Sequence, residues 1–224
     1  MTVTYASVRR AACDLQTGHE QPSVKVALMA AILSAQESLE RNAREMEVLR
    51  EHGWLIELPH DHEQVWQALR GLGYVTRTKV EGLYWAEALD KAGLLRGLEN
   101  IGTGYEQQNV WREQVYKLMH GHGMAYKTIS FAALILDPLA CELVPIDRHH
   151  LARLGLDNRR ACKSVRRYLA IEQTIRDERD MAGFERVPLG LWAWLQWENW
   201  RQQTGASKSA GECQSHAALS CRNY

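Results

Sequence analysis

Apolar residues recur at helical spacing along most of the chain. Val26, Met29, Ala30, Leu33 and, further on, Met46 and Leu49 predict one long helix, or two in succession, over Val24 to Glu51, with Pro22 and Ser23 as the start signal. His62 to Leu69 reads as a short helix stopped by Gly71 and Gly73, and Thr78 to Ala92 as a longer one broken at Gly93. Leu98 to Gln108 carries Gly102 and Gly104 and reads as a loop. Helices are predicted again over Asn109 to His120, over the almost wholly apolar Lys127 to Leu136, from Arg148 to Leu154, over Ala161 to Glu178, and over Leu189 to Gln202 behind Pro188. Asp137-Pro138 marks a turn. No strand hairpin and no internal repeat stands out, so the expected fold class is all-α. Residues 204–224, rich in Ser, Ala and Gly, are expected to form a disordered tail. Trp192, Trp194, Trp197 and Trp200 fall in the last predicted helix, where aromatic residues at helical spacing are expected to pack into the core and between lobes, with a base-stacking platform as the lesser alternative.

Composition narrows the class. The chain has 224 residues, 46% of them hydrophobic, enough for one sizeable core or two small lobes sharing one. No window approaches the roughly 18 uninterrupted apolar residues of a membrane helix. Arg9 and Arg10 are followed by no apolar run, so no secretory signal is read, and a cytoplasmic location is expected. The five cysteines are odd in number and widely spaced, which argues against a disulfide scaffold, and no Cys-x-x-Cys pair announces a metal. Lys plus Arg equals Asp plus Glu at 27 each, so only local charge could mark a nucleic-acid face. One such place exists. Arg148, Arg153, Arg159, Arg160, Lys163, Arg166 and Arg167 fall close together with Asp157 as the single acid among them. A cluster of this kind neutralises phosphates and supplies sequence-independent affinity.

Two short stretches carry candidate chemistry. Gly121-His122-Gly123-Met124-Ala125-Tyr126-Lys127-Thr128 is a glycine-containing turn running straight into an apolar helix. Its free backbone N–H groups and the helix dipole favour an anion such as phosphate. Leu143-Val144-Pro145-Ile146-Asp147 is an apolar run ending in an aspartate that opens a helix. That position suits a helix N-cap, and a carboxylate held by helix N–H groups stays ionised at neutral pH. One helix and one turn separate Lys127 from Asp147, so the two helix starts can lie together. A lysine and a carboxylate facing one cleft suit nucleophilic catalysis at a sugar carbon. The amine must be neutral to attack, and burial would favour that form. The carboxylate would stabilise positive charge developing on the sugar.

These stretches resemble the helix-hairpin-helix DNA glycosylases, closest to the endonuclease III-like branch. Gly123, Ala125, Lys127 and Thr128 take the positions of that family's Leu-Pro-Gly-x-Gly-x-Lys-Thr-Ala hairpin, and Ile146-Asp147-Arg148-His149 those of its Val-Asp-x-His. Ile32-Leu33-Ser34-Ala35-Gln36 is similar to its Leu-Leu-Ser-Ala-Gln segment, and Leu72-Gly73-Tyr74 with Lys79 to its Gly-aromatic element. The resemblance implies two helical lobes with a cleft between them and a helix-hairpin-helix motif: 25–136 as the central lobe, and 1–24 plus 137–203 as the second. It implies Lys127 as the nucleophile at C1′ and Asp147 as the group that assists departure of the base. Lysine at this position goes with strand cleavage after base removal. Gln36, Gly121, Gly123, Ala125, Arg148, His149, Arg159, Arg160 and Lys163 would contact the DNA, a duplex with a modified or damaged base rotated out of the stack. A monomer is expected, acting at the nucleoid or, for a viral protein, in the host cytoplasm.

Three departures from the family pattern matter. His122 replaces the usual proline, and Ala125 replaces a glycine, at a cost on the order of 1 kcal/mol if that site needs a positive φ. The four-cysteine motif after the aspartate is missing, so no iron–sulfur cluster, other metal or cofactor is expected. Arg148-His149-His150 is rich in donors, which leaves room for a larger or more polar base substituent. Two other functions are therefore carried beside base excision. One is a transferase on the same scaffold that modifies a hydroxymethylpyrimidine base in DNA. The other is a non-catalytic DNA-binding module, against which the presence of both Lys127 and Asp147 argues.

Overall fold

A helix that is apolar on every side has to be buried on every side. Helix α1 (Val24–Leu33) is such a helix, exposing almost none of its surface. Helix α6 (Tyr126–Leu136) is another, buried from Thr128 to its end, and the two pack on each other as the axis of the molecule. The computed structural model describes residues 22–35, 39–122, 124–156, 162 and 164–204. Among these residues all regular structure is helical, which makes the fold all-α. The remaining helices are α2 (Leu39–Glu51), α3 (His62–Leu69), α4 (Arg77–Lys91), α5 (Gly104–Met119), α7 (Arg148–Arg153), α8 (Val165–Met181) and α9 (Leu189–Thr204).

Polar side chains finish the buried ends of α1. Ser23 caps its start, its Oγ accepting from the Val26 N–H. At its other end Asn42 Nδ2 donates to the Ala30 carbonyl at 3.0 Å and Lys79 Nζ to the Leu33 carbonyl at 2.8 Å. A buried helix end without such partners would leave carbonyls unsatisfied at about 1–3 kcal/mol each. Lys79, set by the resemblance downstream of the Gly-aromatic element, is 9% exposed and engaged with α1.

Most of the predicted helices stand where the spacing put them. Val24 to Glu51 forms two helices, and α3 spans His62–Leu69 with Asp61 as its N-cap. The predicted loop over Leu98 to Gln108 is wrong in its second half, because α5 already begins at Gly104. The Gln107 side chain reaches back to accept from the Thr103 N–H at 2.9 Å, tying off the first turn. Gln108 is fully buried, donating to the carbonyls of Gly102 and Ala140 and accepting from the Glu142 N–H. The glycines turn the chain ahead of the helix, and the two glutamines fix its first turn in place.

Helices α1 to α6 pack in succession and back onto α1, while α7 and α8 each pack on α9. One continuous apolar cluster runs through both sets. A buried ion pair also joins them: Arg112 on α5 and Glu172 on α8 meet through two parallel hydrogen bonds of 2.8 and 2.9 Å. Among the described residues no helix is long and apolar enough to cross a membrane.

Candidate active site

The hairpin between α5 and α6 is clamped from behind by α4. Gly121 has φ +88°, a conformation costly for any residue with a Cβ, and it lets the chain reverse directly after α5. The His122 ring stacks on Trp85 at 4.0 Å between centroids, and Trp85 Nε1 donates to the Leu118 carbonyl at 2.8 Å. Gly82 permits the close approach, since a Cβ there would lie 3.1 Å from the His122 carbonyl oxygen. Where the resembled family uses proline to stiffen this turn, a stacked histidine does so here. Ala125 carries no strain, because its φ is −114°, extended backbone open to any residue. The penalty considered for an alanine here therefore does not arise. As N-cap of α6, Ala125 has no side chain to bond the helix's first N–H groups.

Lys127 lies in the first turn of α6 and is exposed. The burial expected to favour its neutral amine is therefore absent, because this turn sits at the rim of the helix, ahead of the fully buried stretch from Thr128 onward.

Asp147 is delivered by an extended run, Cys141–Ile146, that belongs to no helix and would leave its backbone groups unpaired without help. The help comes from α8. Glu172 Oε1 accepts from the Val144 N–H at 2.8 Å. The Tyr168 hydroxyl donates to the Val144 carbonyl and accepts from the Ile146 N–H at 3.2 Å. At the end of this run Asp147 caps α7. Its Oδ1 accepts from the N–H groups of His149 at 2.9 Å and His150 at 3.0 Å. His150 Nδ1 lies 2.9 Å from the same oxygen. Two acceptors would repel at that distance, so Nδ1 carries the proton and donates, a tautomer assigned from the geometry.

All three bonds to Asp147 end on Oδ1, and Oδ2 has no hydrogen-bond donor among the described residues. One oxygen anchors the carboxylate and the other stays available. Burial alone would raise the pKa of this group. Hydrogen bonds and charge from His150, its N–H and the charge of Lys127 outweigh burial and hold the carboxyl well below the usual aspartate range. Lys127 is near enough for its charge to reach this carboxyl, and no direct hydrogen bond or ion pair joins the two.

His149 shares the same field. Burial lowers its pKa, and the charges of Arg148, His150 and Lys127 lower it further, against an opposing pull from Asp147. Arg148 is exposed, and its Nε donates to His149 Nε2 at 3.4 Å, which leaves the His149 proton on Nδ1. The His149 ring meets two indoles of α9, Trp197 at 5.9 Å and Trp200 at 6.0 Å between centroids. The four tryptophans of α9 therefore divide. Trp192 is buried and Trp194 stacks toward Phe131, in keeping with core packing, whereas Trp197 and Trp200 border the site.

The structure thus brings Lys127, Asp147, Arg148 and His149 to one place. His150 is buried and spent on Asp147, so it is not the open donor suggested by the Arg-His-His run. Arg153 is not an open phosphate contact either, because its Nη2 donates to Glu178 Oε2 at 2.7 Å. Arg166 and Arg167 are exposed at the start of α8. Gln36, Gly123, Arg159, Arg160 and Lys163 lie outside the described residues, as does the expected tail from residue 205 onward. Sequence reasoning missed Glu172 and Tyr168 as supports of the Asp147 segment, and it did not separate Trp197 and Trp200 from the other two tryptophans. For the tryptophans a signal existed, since positions three apart share a helix face. Among the described residues no group of His, Cys, Asp and Glu could hold a metal ion. No family model, no curated protein and no solved structure matches the chain.

Proposed function

We propose that this chain is a DNA glycosylase with lyase activity, built as a helix-hairpin-helix protein, that removes a modified or damaged base from duplex DNA. The observation that carries the proposal is that Lys127 and Asp147 each stand at a helix start, with the Lys127 charge felt at the Asp147 carboxyl. In this reading α1 to α6 form one lobe, α7 to α9 the other, and the DNA lies across the junction. The uncapped N–H groups of α6 would take a phosphate, and Arg148, Arg166 and Arg167 would add to the backbone contacts.

The chemistry rests on the two side chains. The Lys127 amine attacks C1′ in its neutral form, its proton having passed to solvent water. The bond from C1′ to the base breaks, and the base leaves with that electron pair and takes a proton. Opening of the sugar ring at its oxygen turns the amine adduct into a Schiff base, from which the 3′ phosphate can be eliminated. Asp147 is suited to one part of this. A carboxyl held so far toward its ionised form is a weak proton acceptor and a strong electrostatic partner, so it stabilises positive charge on the sugar rather than activating water. The test is reductive trapping with borohydride on a panel of duplexes, each carrying one altered base. A covalent adduct that vanishes in Lys127→Ala supports the reading. Base release at the normal rate by Lys127→Ala removes the lysine as nucleophile.

A further inference from the structure

The bond from C1′ to the base is short, so a sugar held at Lys127 Nζ and Asp147 Oδ2 fixes where its base must lie. His149, two residues after Asp147, meets an aromatic wall on α9. The rings of Trp197 and Trp200, one turn apart on α9, face the half-buried ring of His149, which directly follows Arg148 and lies two residues from Asp147. Lys127 and Arg148 are exposed cations, and His149 offers an Nδ1–H because its Nε2 accepts from Arg148. An indole face takes any planar heterocycle, and the edge groups decide which.

We infer that Trp197, Trp200 and His149 form the seat of the everted base, and that the seat takes a carbonyl-rich, uracil-type ring in preference to an amino-bearing one such as cytosine or adenine. The inference rests on Lys127 and Asp147 being the groups that face the sugar. A uracil-type edge presents carbonyl oxygens to Arg148 and His149 Nδ1–H and satisfies them, whereas an exocyclic amine would leave donor against donor.

The experiment is photochemical crosslinking of the full chain to two duplexes, followed by peptide mass spectrometry. One carries a single 5-iodouracil opposite guanine, the other a single 5-iodocytosine opposite adenine, both mispaired so that eversion costs little. The expected adduct maps to Trp197, Trp200 or His149, forms preferentially with iodouracil, and falls at least about tenfold when both tryptophans become Leu while Trp→Phe retains part of it. Duplex affinity, read by fluorescence anisotropy, should stay within about twofold, since phosphate contacts dominate it. Adducts confined to other residues overturn the seat, and equal or reversed yields overturn the carbonyl preference. The wild-type map decides this even if the Leu variant fails to fold. Adducts at the seat with no base release from any duplex leave the seat standing and overturn excision. Base release with adducts only elsewhere does the reverse.

Discussion

Arg112 and Glu172 form a two-bond ion pair in which neither side chain is exposed to solvent. Taking two charges out of water is expensive, so such a pair persists only when its remaining valences are filled. Most of them are filled here, the buried Arg112 Nε being the exception. Glu172 also accepts from the Val144 N–H and the Tyr105 hydroxyl, and Arg112 also donates to Ser130 and Asn109. Tyr126 and Tyr168 present their rings to the Arg112 guanidinium at 4.9 and 5.6 Å. The pair is therefore more than a weld between α5 and α8, because the same carboxylate holds the extended run that ends at Asp147.

Removing one partner should be costly. Glu172→Gln leaves a buried guanidinium without its counter-charge and should lose about 3–5 kcal/mol of stability in chemical denaturation. Arg112→Met combined with Glu172→Met should recover a substantial part of that loss, since both charges go together. A loss below about 1 kcal/mol for Glu172→Gln would mean that the pair is solvated and does not hold the Asp147 segment.

His149 offers a spectroscopic check on whether the site is assembled. Its folded pKa lies below the unfolded value, because burial and then the charges of Arg148, His150 and Lys127 disfavour its protonated form. The NMR midpoint of its ring protons should therefore fall below about 6.5. The unfolded chain then binds the extra proton first. This group's contribution to stability is fully present above the unfolded value and declines as pH falls through the window down to the folded one. Lys127→Ala and Arg148→Ala should each raise the midpoint, and Asp147→Asn should lower it. A midpoint indifferent to both Lys127 and Asp147 would place them too far from His149 to share a site.

Much of this architecture is legible in the sequence, and for a physical reason. Helices α1 and α6 are encoded by their continuous apolar runs, and the starts of α1 and α7 by the caps Ser23 and Asp147, which act within three residues. Lys127 and Asp147 are legible too, because each opens a helix and one helix separates them. Long-range partners are not legible. Nothing local marks Glu172 as the acceptor for Val144, 28 residues earlier, or Lys79 as the cap of α1. Burial at a helix rim is equally hidden, so an apolar run beginning at Lys127 suggested a buried lysine where the structure has an exposed one.

The basic stretch makes a prediction in solution. If Arg159, Arg160 and their neighbours meet phosphates, duplex affinity should fall steeply with salt, and Arg159→Ala with Arg160→Ala should reduce the slope of log K against log salt by about 2. The loss should be similar for all duplexes, altered base or not. An unchanged slope would move the DNA face elsewhere.

The sharpest prediction separates the two oxygens of Asp147. Asparagine is also a good N-cap, and its carbonyl can take the place of Oδ1 before the N–H groups of His149 and His150. Asp147→Asn should therefore leave stability within about 1 kcal/mol of wild type and preserve duplex binding. What it cannot replace is the charge that Oδ2 presents toward the sugar, so single-turnover base release should slow by about 10² or more. Asp147→Ala should lose the cap as well, adding a stability loss of about 1 kcal/mol to the same kinetic defect. Because His150 and Lys127 hold the carboxyl below the ordinary aspartate range, the wild-type charge survives in acid. The stability it lends is present above the unfolded value, near pH 4, and fades only as pH falls from there toward the folded one. The wild-type advantage in base release should accordingly persist undiminished down to about pH 5, above both values. An advantage that disappears already between about pH 7 and 5 would show that Asp147 takes up a proton there and works as a base, and the Schiff-base reading would give way to hydrolysis by an activated water.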